Sequence, residues 1–150
     1  MIPNGSEGIG HLAARIFDDL VPKAPDAYAM SDLAMIATLL GMAAEDYDRA
    51  ADVLLADEAE LAELFDAAQP YSLNPVLQAR MAAALASPPE GYRVSQLSAR
   101  ADTAMRVLID LHEAIEIAQD EGSVWAVVLN GRIWRFLERH TERRAYQAAF

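Results

Sequence analysis

The chain is 150 residues long, 53% hydrophobic and free of cysteine, with a formal net charge of −11. That length carries a real core without staples, so residues 1–150 are expected to form a single domain. The missing thiols exclude disulfide frameworks, thiol catalysis and cysteine metal sites, while the charge repels nucleic-acid backbones and attracts basic partners.

No membrane span is expected. The longest stretch free of charge and proline, Leu33 to Ala44, is far short of the roughly 20 apolar residues a span needs. It reads as a buried helix segment. The first eight residues lack the basic-then-apolar order of a signal peptide. The expected location is cytoplasmic.

The first predicted helix covers 6–21, capped by Ser6 or Asn4 and stopped by the Pro22 to Pro25 segment. Ile9, Leu12, Ile16, Phe17 and Leu20 would form its apolar face. A long helix over 26–68 follows, roughly 60 Å at 1.5 Å per residue. Its apolar series alternates three and four apart through Leu33, Ile36, Leu40, Ala43, Tyr47, Ala50 and Leu54, then Leu61, Leu64 and Ala68. Asp57 stands where that series demands an apolar residue. A straight helix drifts about 20° per heptad from a 3.5-residue repeat, so the stripe is expected to change partners near Asp57. The segment before it should pack inside the bundle. The segment after it should meet a loop, a short helix or another subunit.

Asn74-Pro75 reads as a cap and first helical residue for a short helix over 75–86, which Ser87-Pro88-Pro89-Glu90-Gly91 ends. The three/four spacing returns through Val94, Leu97, Ala101, Ala104, Leu108, Leu111, Ile115 and Ala118, predicting a helix over 94–121 closed by Gly122. Ser123 is the predicted cap of a last helix over 124–148, with Trp125, Val128, Leu129, Ile133, Phe136 and Leu137 on its wide apolar face. The predicted fold is all-α, an antiparallel helical bundle of three long and two short helices. Thirty alanines let helices approach closely but bury little apolar surface each.

Catalytic motifs are scarce. Gly8 and Gly10 match a degenerate dinucleotide fingerprint without the strand its mechanism needs. None of the three histidines has an acid three residues before it, so the di-iron bundle pattern is missing. An alternative metal reading joins His112 and Glu116, four apart, to Glu45 or Asp48 of the long helix. The leading expectation assigns no catalytic residue, no metal and no cofactor.

Charge is distributed unevenly. Residues 26–66 hold eleven acids and one base, whereas residues 132–150 hold five arginines and two glutamates. Arg132, Arg135, Arg139 and Arg143 recur at helical spacing and form a stripe. It faces solvent or the acidic helix of its own chain, or it meets an acidic face of another subunit. Trp134 and Tyr146 beside it leave a minor nucleic-acid reading. Tyr146 and Phe150, aromatics at the chain end, are candidate docking residues, as are Leu61 and Leu64 beyond Asp57.

The run Leu129-Asn130-Gly131-Arg132-Ile133-Trp134 resembles the Asn-Arg-Arg-Leu-Trp stretch of the flagellin-regulating FlaF family, which is also small and helical. Gly131 and Ile133 replace Arg and Leu there, and six residues carry no assignment. The function expected from the residues is association: a non-catalytic helical protein that self-associates or serves a larger partner with a basic or apolar surface. A helical-bundle enzyme or ligand-binding protein, and an acidic inhibitor or nucleic-acid mimic, are the alternatives.

Overall fold

The computed structural model describes residues 4–71 and 73–146. These residues form five α-helices, α1 (Gly5–Arg15), α2 (Ala27–Ala68), α3 (Pro75–Ala84), α4 (Val94–Asp120) and α5 (Val124–Glu142). No strand occurs among the described residues, and the protein is all-α. The predicted helices are present, with corrected ends. The first does not continue to residue 21 as an α-helix but loosens into a π-helical turn, Ile16–Leu20, and a 3₁₀ turn, Val21–Lys23. Pro22 removes a donor there. The last ends at Glu142 rather than 148, because Arg144 and Ala145 turn their N–H groups onto Thr141 and Glu142 carbonyls three residues back.

Side-chain caps account for three of the starts. Asn4 accepts the Ser6 amide at 2.9 Å, Asp26 the Ala29 amide at 2.8 Å, and Asn74 the Val76 amide at 2.8 Å. Ser123, the predicted cap of α5, makes no such bond. Its own N–H instead reaches the Ala118 carbonyl at 2.9 Å, and the Gly122 N–H reaches Gln119 at 2.9 Å. Gly122 has φ +88°, so these two bonds close α4 with a Schellman turn that a residue bearing a Cβ adopts only under strain.

Packing divides the chain at Ala50 into two compact units, and α2 contributes to both. The C-terminal unit, 51–145, holds the core. Leu61, Leu64, Phe65 and Ala68 of α2 cluster with Leu77 and Met81 of α3, Leu108, Leu111 and Ile115 of α4, and Leu129, Ile133 and Phe136 of α5. These are the positions that a 3.6-residue repeat sends to one face. The α3 connection is held by Tyr71 stacked on Trp125, centroids 4.4 Å apart, and by the Gln78 side-chain amide bonded to the Tyr71 carbonyl at 3.1 Å. An ion pair between Arg80 and Asp110 joins α3 to α4.

The N-terminal unit, 4–50 with Tyr146, is a hairpin of α1 and the first half of α2. Gly5 lies against the Tyr47 ring. Ala13 and Ala37 are the only buried residues of this unit among those described. The expectation that Leu33 to Ala44 is a buried segment is overturned: Met35, Ile36 and Leu39 are 57%, 45% and 56% exposed. Leu12, Phe17 and Leu20, assigned to the buried face of the first helix, are also exposed. Two helices cannot enclose both their apolar faces. One 18-residue window of α2 reaches a mean hydropathy of 1.4 with only 6% of it buried, so α2 is long and apolar enough to cross a membrane by length and composition. The absence of a span was inferred from an uncharged stretch; admitting one or two charges changes that result.

Replacing Gly122 by alanine should destabilise the protein by about 1 kcal/mol, because the left-handed turn becomes strained without altering any buried contact. Urea denaturation should show a lower midpoint with an unchanged slope.

Candidate functional site

Asp57 is the most completely buried charged residue of the described chain, at 2% exposure. Three side chains at and just beyond the end of α5 surround it. Its Oδ1 accepts Arg143 Nη1 at 2.6 Å, and its Oδ2 accepts Arg144 Nη2 at 2.7 Å and His140 Nδ1 at 2.8 Å. Arg144 Nη1 also lies 3.0 Å from His140 Nδ1, but bonds the His140 carbonyl at 2.9 Å. The consistent assignment has His140 Nδ1 carry its proton and donate it to Asp57, with the arginine hydrogen spent on the carbonyl.

Arg143 also pairs with Glu60, which holds Arg139 through Nε at 3.0 Å to both carboxylate oxygens and through Nη2 at 2.8 Å. The Arg139 hydrogen bonds are the main reason that the Glu60 carboxyl titrates below its ordinary range; partial burial opposes them, and the Arg143 charge adds to them. On the other flank Glu58, 7% exposed, accepts Arg100 Nε at 2.8 Å, while its Oε1 is buried without a hydrogen-bond partner. A buried carboxylate stays charged only when paired, so this network ties α5's last two turns to α2.

The predicted arginine stripe therefore splits. Arg139 and Arg143 turn onto the acidic face of α2 in their own chain, whereas Arg132 and Arg135 are exposed and make no ion pair among the described residues. Arg132, Arg135 and Arg139 line a shallow hollow with Glu60 and Glu63 over Leu64 and Phe136. Leu61 and Leu64, proposed as docking residues, are instead core, 0% and 7% exposed. The forecast for Asp57 holds in one half: the segment after it, Leu61 to Ala68, packs on the short helix α3, and on α4 and α5 as well, whereas the stripe before it is half-buried or exposed and not enclosed in a bundle. Asp57 is buried beside Arg143 and Arg144.

His112 does not gather a metal site. Its Nε2 bonds Asn130 Oδ1 at 3.0 Å, with Glu116 at 3.6 Å, and Asn130 Nδ2 donates to Gln119 Oε1 at 2.8 Å. Trp134, 58% exposed, meets the His112 ring edge to face, centroids 5.6 Å apart. This Gln119–Asn130–His112 chain links α4 to α5. Glu45 is occupied by Arg49 at 3.0 Å, and Asp48 is exposed. Among the described residues no group of three or more histidines and acids could hold a metal ion. Gly8 and Gly10 lie inside α1, so the fingerprint residues form helix and not a phosphate-binding turn.

In the N-terminal unit Tyr146 donates its hydroxyl proton to Asp46 at 2.7 Å, which raises the phenol's pKa, and its ring lies under the Arg49 guanidinium at 5.1 Å. Phe150 lies outside the described residues. The exposed apolar surface missed by sequence reasoning is the series Tyr28, Met35, Ile36, Leu39 and Tyr47. The signal was present as an apolar stripe, assigned to the wrong environment.

No protein-family model matches the chain, and neither does any curated protein or solved structure. The six-residue resemblance at 129–134 stands without a family match; of its residues Leu129 and Ile133 are core and Asn130 bonds His112 of α4, whereas Arg132 and Trp134 are exposed.

Two outcomes follow from the network. Asp57→Asn should cost about 2–4 kcal/mol, below the upper range for a broken buried pair because the arginines can turn to solvent. For Glu60 the folded-state pKa is depressed, so its stabilisation is complete near neutral pH and disappears as pH falls through that lowered value. The stability gap between the native protein and Glu60→Gln, measured in urea, should therefore shrink between neutral pH and about pH 3.

Proposed function

We propose that the protein is a non-catalytic assembly subunit, in which the C-terminal unit is the folded anchor and the N-terminal hairpin presents a helix face for recognition by another protein. One observation carries this reading: the hairpin buries two alanines while Leu12, Phe17, Leu20, Tyr28, Met30, Met35, Ile36, Leu39 and Tyr47 are all more than 40% exposed. Exposed apolar residues in such number on one small unit mark a candidate interaction site. The polar groups that would serve an enzyme are engaged elsewhere. His112, His140, Asp57 and Glu60 all spend their hydrogen bonds on structure. The absence of cysteine suits a reducing compartment, and the cytoplasm is the proposed location.

A photoreactive residue in place of Leu39, expressed in the protein's own cells, should yield protein adducts on irradiation that Met35→Glu abolishes. The same residue in place of Val76 in α3, 67% exposed, should yield far fewer. Absence of any adduct at position 39 would remove the assembly reading.

A further inference from the structure

We propose that the exposed face of α2's first half docks a basic amphipathic helix of another protein. The inference rests on the assembly reading and names the partner's chemistry. At 100° per residue, Tyr28, Met35, Ile36, Leu39 and Tyr47 fall within an arc of about 120°. Their exposure runs from 45% at Ile36 to 78% at Tyr28. Together they leave on the order of 700 Å² uncovered, close to the about 800 Å² that one partner contributes to a stable interface.

Charge decides the occupant. Asp32 and Asp46 stand in the same arc and are exposed. Asp46 is engaged by Tyr146, whereas Asp32 has no hydrogen-bond or ion-pair partner among the described residues. Between Lys23 and Arg49 the chain carries five acids and no base. A second copy would set these carboxylates against each other, and like charges across an interface oppose association. A lipid surface favours helices with lysine and arginine on the polar side, which α2 lacks here. A partner helix with an apolar stripe and a Lys or Arg opposite Asp32 satisfies both the apolar face and the carboxylate. Met35, with its flexible thioether, accommodates partner side chains of differing shape.

The test is fluorescence anisotropy of the full chain with a short labelled amphipathic helix of leucine and lysine, beside a leucine and glutamate peptide of the same pattern. The lysine peptide should bind and the glutamate peptide should not. Leu39→Glu should weaken binding at least about tenfold although it makes the protein more acidic, and Asp32→Lys should weaken it similarly. Leu39 is half exposed, so the helical circular dichroism of the variant should be unchanged. Equal or tighter binding by Leu39→Glu would mean that bulk charge alone captures the peptide, and would overturn the proposal. Light scattering that finds a dimer dissolved by Leu39→Glu would overturn it in favour of a second copy and leave the assembly reading intact. Binding to phosphatidylcholine–phosphatidylglycerol vesicles, lost in Leu39→Glu, would overturn both.

Discussion

A carboxylate taken out of water must have the solvent's hydrogen bonds replaced by other donors, and Asp57 sets this condition for the C-terminal unit. Three donors meet it, from His140, Arg143 and Arg144, and Arg143 extends the network to Glu60. The apolar core would tolerate many orientations of α5's last turn; the directional bonds at Asp57 accept few. Beside the network, Leu61, Leu64 and Phe136 are buried in the core. The ion network selects an arrangement, and the core supplies most of the stabilisation.

The N-terminal unit obeys the opposite condition. Of its described residues only Ala13 and Ala37 are buried, and larger side chains such as Leu12, Met35 and Leu39 meet water. Alanine at a crossing brings helix axes together but removes little surface from solvent. Such a hairpin gains little from its own packing. Covering Tyr28, Met35 and Leu39 would remove far more apolar surface from water than the hairpin buries by itself.

Much of the fold was legible in the amino-acid pattern, because helix signals are local. Asn74-Pro75 announced α3, Gly122 announced the end of α4, and the spacing from Leu97 to Ile115 identified the buried face of α4. Other features depend on residues far apart in the chain. Asp57 was visible as an anomaly, but nothing in its neighbourhood says that it will meet groups more than eighty positions later. The arginine stripe was a correct statement about one helix; which of its members find carboxylates depends on the packing angle. The stripe from Leu33 to Tyr47 shows most clearly where periodicity stops informing: it reports that a face requires a partner, not whether this chain contains one.

Arg143 and Arg144 are adjacent residues that a trypsin-like protease would cleave after, placed beyond the end of α5 where chains are ordinarily vulnerable. With both guanidinium groups held on Asp57, neither can enter a protease specificity pocket until the network opens. The rate of nicking at this point therefore reports the free energy of local opening at the end of α5, separately from global unfolding, and the buried carboxylate acts as the latch that sets it.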